Sequence, residues 1–461
     1  MQAGAWLGVA LLCLALVACA PTPGNGRDPA SRDALPRSVL LPAMKTFKTR
    51  HLVPPRRANR DIMRDFLDLS FAMESGRTLP YFSRFEEPVT VRLVGAPSAL
   101  LAKDLDRLIE RLQTEAGLDI RRVSDGDAHI TIEVVSGARI RRHVPTAACF
   151  VVPNISRLSD YRAARRQGRT DWTRIVTRER AAIFVPRDSS PQESRDCLHE
   201  ELAQALGPLN DLYRLADSVF NDDNMHGVLT GFDMLIMRAY YAPELSTGMT
   251  RSQVATRLPA ILGRLNPQGD RIATRDLPPT PRAWTRAIQT ALDRGTDAAA
   301  RRAAAERALR IAEAADIADH RRAFSHFALG KLAPADAPEF AQQQFVAADA
   351  FYRRTPGADV QRAHVAVPLA STALGEGRAD DALMRLDGHL DVAYRHENAG
   401  LLATLFMLRA DALDMTGQEE AAHRVRLDSL GWARYGFGLS VAVPVAKIRA
   451  GHREANRKGS R

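Results

Sequence analysis

Residues 199 to 211 read HEELAQALGPLND and concentrate side chains that could hold a cation or move a proton. Read from His199, a zinc-binding helix would need a second imidazole four residues on, where Ala203 stands, so that register fails. Shifted by one, Glu200, Gln204 and Asn210 fall at the first, fifth and eleventh places, with Glu201 beside the first in the place of a general base. On a helix Glu200 and Gln204 lie about 40° apart on one stripe, while Leu198, Leu202, Ala205 and Leu206 face the other way. Gly207 is expected to permit a sharp turn that brings Asn210 back beside the stripe. Such a carboxylate with two neutral amides suits a hard cation weakly, through oxygen. It does not suit zinc, which prefers nitrogen and sulfur, and it would not acidify a bound water for Glu201 to activate. The expectation is that Glu200, Gln204 and Asn210 hydrogen-bond one another, as buried polar groups must.

The elements that must position these residues are legible on either side. In NRDIMRDFLDLSFAMES (59 to 75), Ile62, Phe66, Leu69 and Ala72 share a helical face. VTVRLVG (89 to 95) alternates like a strand, ALLAKDLDRLIERLQTEAG is a helix stopped at Gly117, and HITIEVV (129 to 135) alternates again. AAIFV (181 to 185) is a short apolar strand, and Ser190, Pro191 and Glu193 supply the cap, first-turn proline and capping-box acid of the motif helix. The order is strand, helix, strand, strand, basic insertion, strand, helix, an α/β layout with one sheet backed by helices. The insertion, DYRAARRQGRTDWTRIVTRER (160 to 180), is expected to be solvated. The cleft beside AAIFV could take an extended peptide if that strand has an unpaired edge.

EELAQALGPLND is EExxQxxGxxND, which resembles HExxHxxGxxHD, the signature of the metzincin metallopeptidases, with every spacing kept and every ligand changed. The resemblance continues in DSVFND, where Ser218 and Phe220 stand in the Met-turn with Phe in place of Met, and in LTGFDMLIMRAYYAPEL (229 to 245), which is similar to the last helix of matrixin-type domains. It covers roughly residues 85 to 245 and implies a zincin-like α/β or α+β fold. No residue is assigned to catalysis, Glu201 being the candidate if the domain is active, and no metal or other cofactor is expected. His226, in NDDNMHG, reads as a loop residue rather than a ligand.

The chain opens MQAGAWLGVALLCLALVAC, an apolar run whose end, Leu-Val-Ala-Cys, resembles the lipobox of bacterial lipoproteins. That resemblance implies a signal peptide over 1–18, a lipidated Cys19, and a flexible tether over 19–55 rich in Pro, Gly, Ser and charge. Cys13 would leave with the signal, and in an oxidising compartment the remaining Cys149 and Cys197 suggest a disulfide. The formal net charge is +10, but only six of 64 basic residues are Lys. With export expected, this points away from nucleic acid and toward an anionic envelope surface. The lipobox, taken with DSVFNDDNMHGVLTGFDMLIMRAYYAPELSTGMT, makes the chain similar to the bacterial lipoproteins of domain of unknown function 2927, a resemblance that implies architecture rather than a reaction.

The first domain is expected over 56–262, with a Pro- and charge-rich linker over 263–285. Residues 286–438 are Ala-rich and helical in pattern. Gly295, Asp336, Gly377 and Gly417 each precede an Ala by five residues, at intervals of 41, 41 and 40, which resembles tetratricopeptide-like helical hairpins. A basic tail fills 439–461. The expected protein is an envelope lipoprotein facing the periplasm, held to a membrane (the outer one weakly favoured) by its lipid. Its metallopeptidase-like domain would be a non-catalytic binding or scaffold unit for a protein or peptide partner. The competing expectation is a metal-dependent peptidase or cell-wall amidase with an oxygen-rich metal site assisted by His226.

Overall fold

The computed structural model describes residues 42–47, 53–275 and 277–438. The expected signal peptide, Cys19, most of the tether and the basic tail lie outside the described residues.

Helix α1 (Asn59–Ser70) buries Ile62, Phe66 and Leu69 but stops five residues before the expected end. The Ser70 hydroxyl donates to the Phe66 carbonyl at 2.6 Å, and Ala72 already bridges to Thr78 in the next segment. Then come β1 (Val89–Gly95), α2 (Ala99–Glu115), β2 (Ile120–Val123) and β3 (Ile130–Val135). They are followed by α3 (Gly137–Arg141), β4 (Phe150–Pro153), α4 (Tyr161–Arg166), β5 (Ala181–Pro186) and the motif helix α5 (Pro191–Leu206). Between α2 and the basic insertion the sequence pattern gives two strands and the structure has three. The two short strands carry weak signals, Arg121 and Arg122 being exposed in β2 and β4 ending at a proline after four residues.

The strands form one sheet in the order β2-β1-β3-β5-β4, parallel throughout except for β4, which runs antiparallel to β5. The expectation of an open edge beside AAIFV is corrected here. That strand is interior, hydrogen-bonded to β3 on one side and β4 on the other. Its apolar run has no polar face because both faces are covered. Ala181, Ile183 and Val185 point to a core shared with α1, α2, α5, and the following helices α6 (Gly231–Tyr240) and α7 (Arg251–Leu265). Ala182 and Phe184 point to a smaller core closed by Ile140, Tyr161 and Ala164.

The rest of the described chain is helical: α8 (Arg282–Leu292), α9 (Ala298–Ala314), α10 (His320–Lys331), α11 (Pro338–Arg353), α12 (Asp359–Gly375), α13 (Ala379–Leu386), α14 (His389–Arg395), α15 (Ala399–Met415) and α16 (Glu419–Gly436). Gly295, Asp336, Gly377 and Gly417 sit in the turns that join α8 to α9, α10 to α11, α12 to α13 and α15 to α16. Ala382 and Ala422, five residues past the last two turns, are fully buried where paired helices approach. The core of this region also draws in Phe47, Tyr213, Ala216 and Met225 from earlier in the chain. Phe47 stacks on Trp432 at 4.5 Å, and Tyr213 meets Trp284 edge-on at 5.0 Å. None of the described helices is long and apolar enough to cross a membrane.

Candidate functional site

The motif helix α5 begins at a complete capping box, in which the Ser190 hydroxyl accepts from the Glu193 amide and the Glu193 carboxylate from the Ser190 amide. Its position on the sheet is fixed by the disulfide between Cys149, just before β4, and Cys197. Leu198, Leu202, Ala205 and Leu206 are fully buried, whereas Glu200, Gln204 and Asn210 are half-buried.

The helix ends at Gly207, where a Cβ would lie 3.1 Å from the Tyr240 ring and would make that ring shift by a few tenths of an ångström. The carbonyls of Gln204 and Ala205 accept from the Arg178 guanidinium at 2.6 and 2.7 Å, and that of Gly207 at 2.5 Å. Arg178 is 4 % exposed and packs on the Trp172 ring, 4.9 Å to the centroid. Sequence reasoning placed it in a solvated insertion. It is instead the buried cation at the C-terminus of the motif helix, where free carbonyls and the helix dipole favour positive charge. A single Arg in an Arg-rich stretch carries no signal that separates it from its neighbours.

The stripe is not a mutual hydrogen-bond network, contrary to expectation. The Asn210 amide donates to the Asp68 carbonyl at the end of α1, 2.9 Å away, because the chain after Gly207 runs along α1. Four acids surround Glu200 electrostatically: Glu201 and Asp196 on the same helix, and Glu74 and Asp222 from other segments. Burial and the charges of Glu74 and Asp222 push Glu200 up to about 7. Burial, Glu200 and Glu74 hold Glu201 well above the carboxylate range, although the Val151 amide bonds it. Val151 lies opposite Ile183 in β4, with Asn154 hydrogen-bonded to Arg180 three residues on, so its amide points off the sheet's edge toward α5. Asp211 is held well above its ordinary range by burial, by a hydrogen bond with Glu74 and by the nearby charges of Glu74 and Glu200. One oxygen each of Glu201 and Asp211 is buried without a partner. Asp222, raised to about 6 by burial, bonds Tyr213 and also Gln289 of α8, so the helical region covers this side of the stripe.

The imidazole on the motif helix does not join the stripe. His199 is 4 % exposed, accepts from the Leu229 amide through Nδ1 at 3.1 Å, and is kept neutral by burial and by Arg111. His226 lies elsewhere, edge-on to His396 at 5.1 Å, and burial lowers it to about 3. Its neighbours are His396, Asp359, His364 and His320 rather than the motif acids. Among the described residues no group of three or more His, Cys, Asp or Glu converges in an arrangement that could hold a metal ion. With one amide turned to Asp68 and the nearest imidazole turned to Leu229, the residues present do not fit zinc.

Ser218 and Phe220 sit in a tight turn, Val219–Asn221, beneath α5. The Ser218 hydroxyl donates to Asp233 at 2.5 Å and accepts from the Phe220 amide at 3.0 Å. Asp233, fully buried, also accepts from the Val219 and Thr230 amides and forms the capping box that starts α6. Phe220 is fully buried in the main core. The turn and the helix after it are therefore one hydrogen-bonded unit, and Asp233 is its hub.

Residues 59–260 match the family described as Protein of unknown function (DUF2927), and this segment of the chain belongs to that family. No curated protein matches the chain.

Proposed function

We propose that this protein is a lipid-anchored component of a bacterial envelope, facing the periplasm, whose metzincin-like domain serves as a non-catalytic binding or scaffold unit braced by a hairpin-repeat helical region. The observation that carries the non-catalytic reading is the disposition of His199. The imidazole on the motif helix is buried and bonded to the Leu229 amide, leaving the stripe without a nitrogen ligand. The zincin-like reading is supported by the sheet with its antiparallel edge strand beside the motif helix, and by the turn at Ser218 and Phe220 packed beneath that helix. The tetratricopeptide-like reading is supported by the four turn residues lying in helical-hairpin turns. The anchor rests on Leu-Val-Ala-Cys before and at Cys19.

The test is elemental analysis of the full chain purified without chelator and without a His tag. Substoichiometric metal, and a melting temperature unmoved by zinc, manganese or calcium, is the expected result. A stoichiometric metal, with peptide or cell-wall turnover abolished in Glu201→Gln, would replace this reading with a peptidase or amidase. Cys19→Ser is expected to release the protein from the membrane fraction.

A further inference from the structure

A cavity of about 440 Å³ opens at the seam where the α/β region meets the helical one. One wall comes from residues 53–57, Arg111, Asp217 and residues 228–232, and the other from Pro356, Gly357, Asp359 and residues 395–397, with Arg275 of the connection between them. Gly231 shapes the floor, because a Cβ there would lie 2.0 Å from the Val53 carbonyl oxygen.

The charges around this space do not cancel locally. The acids that line it are each engaged by a cation: Asp217 by Arg57, Asp359 by Arg395 at 3.7 Å, and Glu397 by Arg107 at 3.4 Å. Arg111 is held by Glu115 through two bonds of 2.9 Å and by the Leu229 carbonyl. Arg56 and Arg275 line the same space, and neither guanidinium makes an ion pair or hydrogen bond among the described residues. Burial and the neighbouring Arg57 hold Arg275 below the ordinary arginine range, against the pull of Asp217 and Asp61. It remains charged at any physiological pH. The N-termini of α6 and α12 also face the cavity through Gly231, Phe232 and Asp359, and add partial positive charge. Val53, Pro54, Val228, Phe232 and Pro356 supply an apolar surface beside these cations.

We infer that the seam cavity binds a small organic anion, with a carboxylate or phosphate group set against Arg275 and Arg56 and an apolar body against the prolines and Phe232. The size suits a single small ligand, and the pairing of an apolar wall with a few convergent polar groups is what such sites require. A guanidinium with no carboxylate partner is suited to either oxyanion. The site is separate from the motif helix and stands whether or not that helix is catalytic.

The experiment is calorimetric titration of the full chain in detergent with phenyl phosphate, with phenylpropionate, and with the neutral phenylpropanol. Saturable one-to-one binding of at least one anion is expected, weakened by salt, together with a loss of roughly tenfold or more in Arg275→Ala. Preference for one anion over the other assigns the headgroup. Arg56→Ala is the second variant, expected to weaken binding less because its side chain is exposed. Melting temperatures of both variants within a degree or two of the parent would show that folding is intact, and Glu201→Gln should bind as the parent does. No saturation with either anion, equal binding of the alcohol, or affinities unchanged in both arginine variants would overturn the inference.

Discussion

Two regions of this protein bury charge, and they resolve the cost in opposite ways. Around Glu200 the crowded groups are acids. Burial and mutual repulsion raise Glu200, Glu201, Asp211 and Asp222 above the ordinary carboxylate range, Glu200 to about 7 and Asp222 to about 6, so they take up protons at a higher pH than exposed acids do. At the seam cavity the groups without an ion pair among the described residues are arginines, which have no neutral form within reach of biological pH. Carboxyls can relieve crowding by binding a proton, whereas a guanidinium must find an anion. The conspicuous acidic motif can therefore shed charge as pH falls toward 6, whereas the seam, which has no motif, keeps its charge.

The comparison can be broken most severely on the motif side. Replacing Cys149 and Cys197 with Ser would release a loop spanning 48 positions between α5 and the edge strand, with an expected loss of about 4 kcal/mol in denaturant unfolding. Arg178→Ala should cost somewhat less, about 3 kcal/mol, because it strips three carbonyls at the end of α5 of their donor. Partial recovery in Arg178→Lys would show that charge matters there as well as fork geometry.

Glu201→Gln sharpens the contrast. A carboxyl whose folded pKa is raised keeps its proton when the unfolded chain has lost it, so stability falls as pH rises from about 4.5 through the folded value. For Glu200 that window ends near 7, and Glu201 is shifted in the same direction. The variant should therefore gain stability relative to the parent as pH rises from about 4.5 to about 8, and should match it near pH 4.5. His226, His320 and His364, held down to about 3, 4 and 4, act in the opposite sense, adding stability as pH rises toward about 6.5. Comparing melting curves of parent and variant across this range separates the two contributions. An equal pH dependence in both would place the titrating groups elsewhere.

The smallest effect belongs to the seam. Arg275→Ala should change stability by less than about 0.5 kcal/mol, because its side chain holds no ion pair among the described residues. A larger loss would mean that Arg275 is structural.

Local patterns in the sequence were enough to specify α2, β1, β3, β5 and the capped start of α5, because alternation, helical spacing and a capping box act over a few residues. They also located the half-buried face of α5, since a 3.6-residue repeat puts Glu200 and Gln204 together whatever surrounds them. The turns at Gly295, Asp336, Gly377 and Gly417 were visible from a different pattern, a turn residue followed five positions later by Ala at intervals of 41, 41 and 40. What those groups meet was decided only in three dimensions. Asn210 turned to Asp68, 142 positions away, His199 to Leu229, and AAIFV became interior through a strand too short to announce itself. Arg178 became the cap of a helix that follows it in the chain, and Arg275 came to face the start of α6 and the end of α14 across a seam. Spacing along a chain sets which side chains share a face. Burial, partner and charge state come from segments distant in sequence, and only the tertiary fold brings those together.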